Sequence, residues 1–333
     1  MRSAGRAARK RGLAAGPGGH VAGVRIVVLG QIARDLVLVV DRVPDAGAAA
    51  GVRRRDELLG GKGANQAVAL RQLGDDVALL GVVGDDDAGE AVLAQATADG
   101  IDVSAVRRRP DAQTALLVDV VEPGRSRRLL EHVPAGVLLS PADVRAAAPL
   151  LRGADALVLQ LQQPGEAVRE ALLGPLRPGC LIVADGAPPD EETRRALCGR
   201  ATVVRADAGE ARAWTDAPVR DAAEALHAAR RLLREGPEVV ALAAQTGVDV
   251  VAWGAGHVVL PHGDEPVIDA TGGGDAFVAG LTSALGRGLG PATAGRWATL
   301  AASATVGTAG GRARLALRHA PGGPVPARAA DGA

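Results

Sequence analysis

The stretch ALVLQLQQPGEAVREALLGPLRPGCLIVADG, Ala156 to Gly186, decides the fold class. Ala156 to Gln160 is an apolar run of strand length, a helix follows from Glu166, and Leu181 to Ala184 is a second apolar run. Strand, helix and strand in that order predict two parallel strands joined by a crossover helix. Further on, a helix from Glu191, a strand at Thr202 to Val204, a helix from Asp221 and a strand at Val239 to Leu242 repeat the unit. Such alternation implies an α/β fold with a mainly parallel sheet flanked by helices on both faces.

Towards the N-terminus, Arg25 to Leu29 (RIVVL) is a short β-branched run ending at Gly30, the expected look of a buried strand. Two regions, about residues 36–59 and 112–133, break the alternation. Both are short apolar runs interrupted by turn residues without a helical period, so hairpin strands that pair with one another are expected. Between them, Ala64, Val68 and Leu73 are helically spaced with Gly74 as the stop, VALLGVV (Val77 to Val83) reads as one strand, and Asp85 to Asp87 cap a further helix ended by Gly100. The last helices are expected from Asp275 to about Leu285 and from Pro291. Residues 1–23 read as a disordered basic extension lacking the apolar segment of a signal peptide, 24–318 as one domain, and 319–333 as a disordered Pro/Gly/Ala-rich tail.

Composition narrows the function. The 333 residues are 47% hydrophobic, yet there is no Tyr and one Phe, so the core must be packed from Ala, Val and Leu. Acidic and basic residues balance at 38 each, which leaves no field to gather nucleic acid or an anionic membrane. Only Cys180 and Cys198 are present, which excludes a disulfide scaffold and fits a reducing cytoplasm. No window reaches the ~18 uninterrupted apolar residues of a membrane helix. Small molecules are the expected partners. His132, His227, His257 and His262 lack metal-ligand spacing and read as structural, while Arg53 to Arg55 and Arg107 to Arg109 lack interleaved aromatics and read as solvated faces.

Two motifs carry the chemistry. In DATGGGDAFVAGL (Asp269 to Leu281) three glycines precede an acid at the start of an amphipathic helix. Glycines let an anion approach the main chain, and a helix N-terminus offers unpaired N–H groups, so the loop is a cradle for phosphate. Asp275 at its edge then reads as the base for a hydroxyl. Taken alone, the same residues also spell a tight turn capped by Asp275. In GGKGANQA (Gly60 to Ala67) sit one of only two lysines, Lys62, and the sole asparagine, Asn65, in a chain with 36 arginines. A compact ammonium and a short amide there suit donors placed against sugar hydroxyls.

With both motifs in order some 200 residues apart, the chain resembles the ribokinase-like (PfkB) carbohydrate kinases from about Val24 to Arg312. The resemblance implies a Rossmann-like sheet with a small β lid, transfer of the γ-phosphoryl of ATP with Mg²⁺ to a sugar's primary hydroxyl, and homodimers joined through the lid. It makes Asp275 the catalytic base and the N–H groups of Gly272, Gly273 and Gly274 the anion hole. Asp35, Gly61, Lys62 and Asn65 match sugar contacts, with Gln162 at a place where the family carries Glu. Asp207 and Glu210 match the family's Asn-x-x-Glu, Glu210 being linked to Mg²⁺ through phosphate or water. Thr246 and Gly247 fall in the nucleotide loop, and Asp269 and Thr271 match a monovalent-cation (K⁺) site.

Three departures stand out: Ala33 where ribokinases carry Asn, Gln162, and Gln245 where the nucleotide loop carries Gly. They leave ribose identity and nucleotide affinity open. A nucleoside kinase and a catalytically weak sugar-binding regulator remain as rival readings; the absence of G-x-G-x-x-G after a strand disfavours a nicotinamide oxidoreductase.

Overall fold

The computed structural model describes residues 23–122, 126–263, 271–307 and 311–315. The first half contains β1 (Arg25–Leu29), β2 (Ala33–Val40), β3 (Val52–Gly60), α1 (Lys62–Gln72), β4 (Asp76–Leu80), β5 (Val82–Gly84), α2 (Asp87–Ala98), β6 (Arg107–Arg109), β7 (Ala115–Glu122) and β8 (Ser126–His132). After it come α3 (Pro141–Ala146), α4 (Ala148–Gly153), β9 (Ala156–Gln160), α5 (Gly165–Leu173), β10 (Leu181–Asp185), α6 (Glu191–Arg200), β11 (Val203–Ala206), α7 (Ala211–Thr215) and α8 (Ala222–Glu235). The chain closes with β12 (Val239–Ala244), β13 (Val248–Trp253), β14 (Gly256–Pro261), α9 (Gly273–Gly286) and α10 (Pro291–Val306).

The eight-stranded sheet runs β14-β13-β12-β11-β10-β9-β1-β4. Every neighbour from β12 to β4 pairs in parallel, as the alternation required, and the antiparallel pairings, β12–β13 and β13–β14, are confined to one edge. Its strands are continuous apolar runs because both faces are covered. Successive residues of one strand enter opposite cores: Val27 and Leu29 pack on one side, Ile26 and Val28 on the other. Parallel strands share a polarity, so the loops after β1, β9, β10 and β11 all leave at one edge of the sheet, where α/β proteins place their ligands.

A second sheet, ordered β3-β2-β7-β8, gathers the two regions that broke the alternation, and they pair through β2 and β7 in parallel. The run VALLGVV is not one strand. Gly81 interrupts it, at a point where a Cβ would stand 2.8 Å from the Gly30 carbonyl oxygen; β4 stays in the large sheet and β5 pairs with β6 in a two-stranded ribbon. Helices α3, α4 and α7 and the edge hairpin were not anticipated. In the run Asp85 to Asp87, Asp86 is the cap, accepting from the Gly89 N–H at 2.8 Å. The arginine triplets are neutralised on the spot, Arg53, Arg54 and Arg55 by Asp41, Asp56 and Glu57, and Arg107, Arg108 and Arg109 by Asp143, Asp85 and Asp143. The readings for residues 1–22 and 319–333 lie outside the described residues. Among the described residues no helix is long and apolar enough to cross a membrane.

Candidate active site

Helix α9 begins where the glycine run allows it. Gly272, its N-cap, has φ of +74°, and a Cβ on it would meet the Gly311 carbonyl oxygen at 1.7 Å, so no side chain fits. Asp275 sits in the first turn and does not cap the helix, which removes the reading of the motif as a mere capped turn. Its buried carboxylate instead accepts from the Gln66 amide at 3.1 Å and the Asn65 amide at 3.4 Å. Helix α9, Asp275 included, is buried on nearly every side and is not the amphipathic helix its sequence suggested.

Both amides come from α1, which the second motif builds. Gly61 enters it at φ +85°, and Gly63 presses so closely on the loop after β1 that a Cβ would lie 2.7 Å from the Gly30 backbone. Lys62, Asn65 and Gln66, three and four residues apart, share one helix face. Lys62 donates to Glu210 at 2.7 Å. Glu210 is fixed by a reciprocal exchange with Asp207: the Asp207 N–H donates to its carboxylate at 3.0 Å and its own N–H donates to Asp207 at 2.8 Å.

Beneath the glycine loop lies a charge network that the sequence reading missed. Gln66 also donates to Asp185 at 2.7 Å, Asp185 accepts from Arg205 at 3.0 Å, and Arg205 stands 3.9 Å from Glu210. The chain's single Phe, Phe277, places its ring centroid 5.9 Å from that guanidinium. A Cβ on Gly274 would come within 2.8 Å of the Arg205 Nη2. Asp185 and Arg205 close strands β10 and β11, and read locally they are strand ends.

The second sheet supplies the opposite wall. Asp35 of β2 is 4% exposed, and a Cβ on Gly60 would overlap its carboxyl carbon at 1.8 Å. Arg127 holds Asp119 with both Nε and Nη2, the latter at 3.0 Å. The walls enclose a cleft of about 340 Å³.

Most of the anticipated residues meet there. Asp35, Gly61, Lys62, Asn65, Gln162, Asp207, Thr271, Gly272, Gly274 and Asp275 all line the cleft. Glu210 stands behind Lys62, and Gly273 is packed where a Cβ would reach Val306 at 2.8 Å. Thr246 and Gly247 lie in the turn after β12, tied to Arg220 and Ala244, and do not line this cleft. Asp269 falls outside the described residues. Ala33 is fully buried in the core.

The electrostatics follow from burial. Burial, reinforced by Asp185, pushes the Asp275 carboxyl up to about 7, against the opposing pull of Lys62, Arg205 and Gln66. Burial and the neighbouring charges of Asp119 and Asp275 push Asp35 up to about 7 as well. Burial also raises Asp185, opposed by Arg205. Burial works against the charges of Lys62 and Glu210, but each stabilises the other, so the lysine ends above and the glutamate below its ordinary range. Asp35 Oδ1, Asn65 Oδ1 and Arg205 Nε, all on residues that line the cleft, are buried without a hydrogen-bond partner, which leaves hydrogen-bonding capacity at its walls. Backbone donors beside a poised carboxylate and two cations make an arrangement suited to moving an anionic group onto a hydroxyl.

A family model described as pfkB family carbohydrate kinase matches residues 24–316. Bacillus subtilis ribokinase is 28% identical over 294 residues, covering 88% of this chain and 97% of that protein. The bifunctional ribokinase/ribose-5-phosphate isomerase A of Fructilactobacillus sanfranciscensis is 26% identical over 89% of this chain, which spans 55% of that longer relative. Arabidopsis thaliana ribokinase, solved with ribose and ATP, superposes with a TM-score of 0.72 at 21% identity, covering 90% of this chain and 96% of the other. With the fold, both motifs and the family match in agreement, the chain belongs to the pfkB family of carbohydrate kinases and is a ribokinase-like, ATP-dependent sugar kinase.

Proposed function

We propose that this kinase transfers the γ-phosphoryl group of ATP to the primary hydroxyl of a pentose-type sugar, D-ribose to ribose 5-phosphate, with Asp275 as general base. The observation that carries the reading is the Asp275 carboxyl, buried at the mouth of the glycine turn in one cleft with Asp35 and Asn65. With its pKa near 7, Asp275 is matched to its task at neutral pH. It takes the hydroxyl proton as the sugar oxygen bonds to the γ-phosphorus and the β–γ bridging oxygen leaves with ADP. The N–H groups of Gly272, Gly273 and Gly274 and the Lys62 ammonium face the developing phosphoryl charge. Asp35 and Asn65, through their unpartnered oxygens, accept from the sugar's secondary hydroxyls, and Gln162 and the Asp119–Arg127 pair border the same side.

Among the described residues no group of three or more His, Cys, Asp or Glu could hold a metal on its own. Mg²⁺ would arrive with the nucleotide phosphates and meet Glu210 and Asp207 through water, the usual manner of that ion; it would neutralise phosphate charge. Thr246 and Gly247 would contact the nucleotide further along the same sheet edge. Thr271, with Asp269, is the candidate K⁺ site. The exposed strands of the second sheet, with Leu130 64% exposed, are the surface for a homodimer. A panel of pentoses, hexoses and nucleosides with ATP and Mg²⁺, read by ADP release, tests the reading: ribose should give the highest kcat/KM. A nucleoside in first place would replace the acceptor, and turnover on none would leave a sugar-binding regulator.

A further inference from the structure

The base is not held by the glycine loop that carries it. Asp275 makes no capping bond within α9, and its hydrogen bonds come from α1, a helix some 210 residues away in the chain. Of the two donors, Asn65 lines the cleft, while Gln66 is 0% exposed and does not. Its side-chain nitrogen spans two carboxylates, Asp185 at 2.7 Å and Asp275 at 3.1 Å. Two carboxylates can be bridged only by a donor, so the amide orientation is fixed: reversed, the oxygen would face both anions. Its oxygen then points away with no hydrogen-bond partner, so the donor side of the amide makes all the hydrogen bonds of this side chain.

We propose that Gln66 is a positioning residue for phosphoryl transfer, its NH₂ group clamping the Asp275 carboxylate to the buried Asp185–Arg205 pair. The inference rests on the assignment of Asp275 as base. The charged groups that act most on Asp275 belong to other elements: Asp185 of β10, Lys62 of α1 and Arg205 of β11, with Asp35 of β2 across the cleft. Asp185 alone would repel the carboxylate and let it swing towards solvent. Bridged by Gln66, with Arg205 balancing Asp185, the same carboxylate is kept aimed at the acceptor hydroxyl. A group that hydrogen-bonds the charged form also favours it, so the clamp keeps the base ionised at a lower pH than burial alone would permit.

The test compares Gln66→Met, close in volume without the donors, with the wild type and Asp275→Asn. Gln66→Met should lower kcat by ~10-fold or more with both KM values held within about twofold, and move the acidic limb of kcat/KM upward by on the order of one pH unit. In ligand-free protein, ¹³C NMR of the carboxyl that disappears in Asp275→Asn should show the same upward shift. If Gln66→Met does not fold, Gln66→Asn keeps an amide but draws it back by one methylene, and the same shifts are expected. An unmoved pH limb and carboxyl titration, in folded variant protein whose Asp275→Asn counterpart is inactive, would overturn the clamp. A fully active Asp275→Asn would instead overturn the base assignment beneath it.

Discussion

The two walls of the cleft are built on different terms. On the sheet side, Lys62, Glu210, Arg205, Asp185, Gln66 and Asp275 form an unbroken chain of contacts drawn from α1, α9, the residue before α7 and the C-terminal ends of β10 and β11. Each cation there lies against an anion, and the whole rests on a core closed on both faces. On the second-sheet side, Asp35, Asp119 and Arg127 sit on strands whose outer faces meet solvent, and β3 is exposed along most of its length. A phosphoryl group presents the same charge whatever sugar receives it, so the first wall can be rigid. The acceptor varies between kinases of one fold, and the second wall is the one that can change without disturbing the first.

If that division holds, the largest effect belongs to the sheet side and falls on rate. Asp275→Asn removes proton abstraction but keeps the volume, so kcat should fall by ~10²-fold or more while sugar and ATP binding persist. Isothermal titration beside steady-state kinetics separates the two. Next comes Gly272→Ala, which forces a Cβ onto the Gly311 carbonyl oxygen and strains a φ of +74°. The loop must shift to admit it, and displaced N–H donors should lower kcat by ~10- to 10²-fold. A variant with unchanged kcat would mean that the loop is not the anion cradle.

The second wall should answer in KM. Arg127→Ala leaves Asp119 buried beside Asp35 without its counter-charge. The sugar KM should rise by ~10-fold, the size expected for one buried polar contact, with the ATP KM and kcat changed little. An equal loss in kcat would show that the two walls are coupled and break the comparison.

The walls also differ in how far they can be read from sequence. The sheet itself is legible: the apolar runs at Arg25–Leu29 and Ala156–Gln160 coincide with β1 and β9, since a strand buried on both faces must be apolar throughout. Asp275, Lys62 and Asn65 are legible because glycine runs and rare residues mark them. Asp185, Arg205 and Gln66 are not. Each reads locally as the end of a strand or a turn of helix, and the bonds that give them meaning join residues 119 and 209 positions apart. Asp119 and Arg127 carry no motif and face the cleft only because β7 folds beside β2. The break at Gly81 was hidden for a related reason, since the clash that forbids a side chain there is with Gly30, a neighbour only in the folded sheet.

The smallest effect asked of the comparison concerns stability, and here the two walls should behave alike. Asp35 and Asp275 both titrate near 7 in the folded chain against an ordinary value of 3.8. Between those limits the folded state binds more protons than the unfolded one, so these groups make stability fall as pH rises from about 4 to 7, and the cost is fully present above that. A neutral isostere escapes the penalty. Asp35→Asn and Asp275→Asn should therefore melt higher relative to wild type at pH 8 than at pH 5, by several °C at most for a chain of this size. The stability given up at neutral pH is then the cost of keeping two carboxylates dry and poised on opposite sides of one substrate. A relative melting temperature that stays flat with pH for Asp35→Asn alone would place Asp35 in water. The second wall would then be open enough that its specificity must come from closure over the sugar.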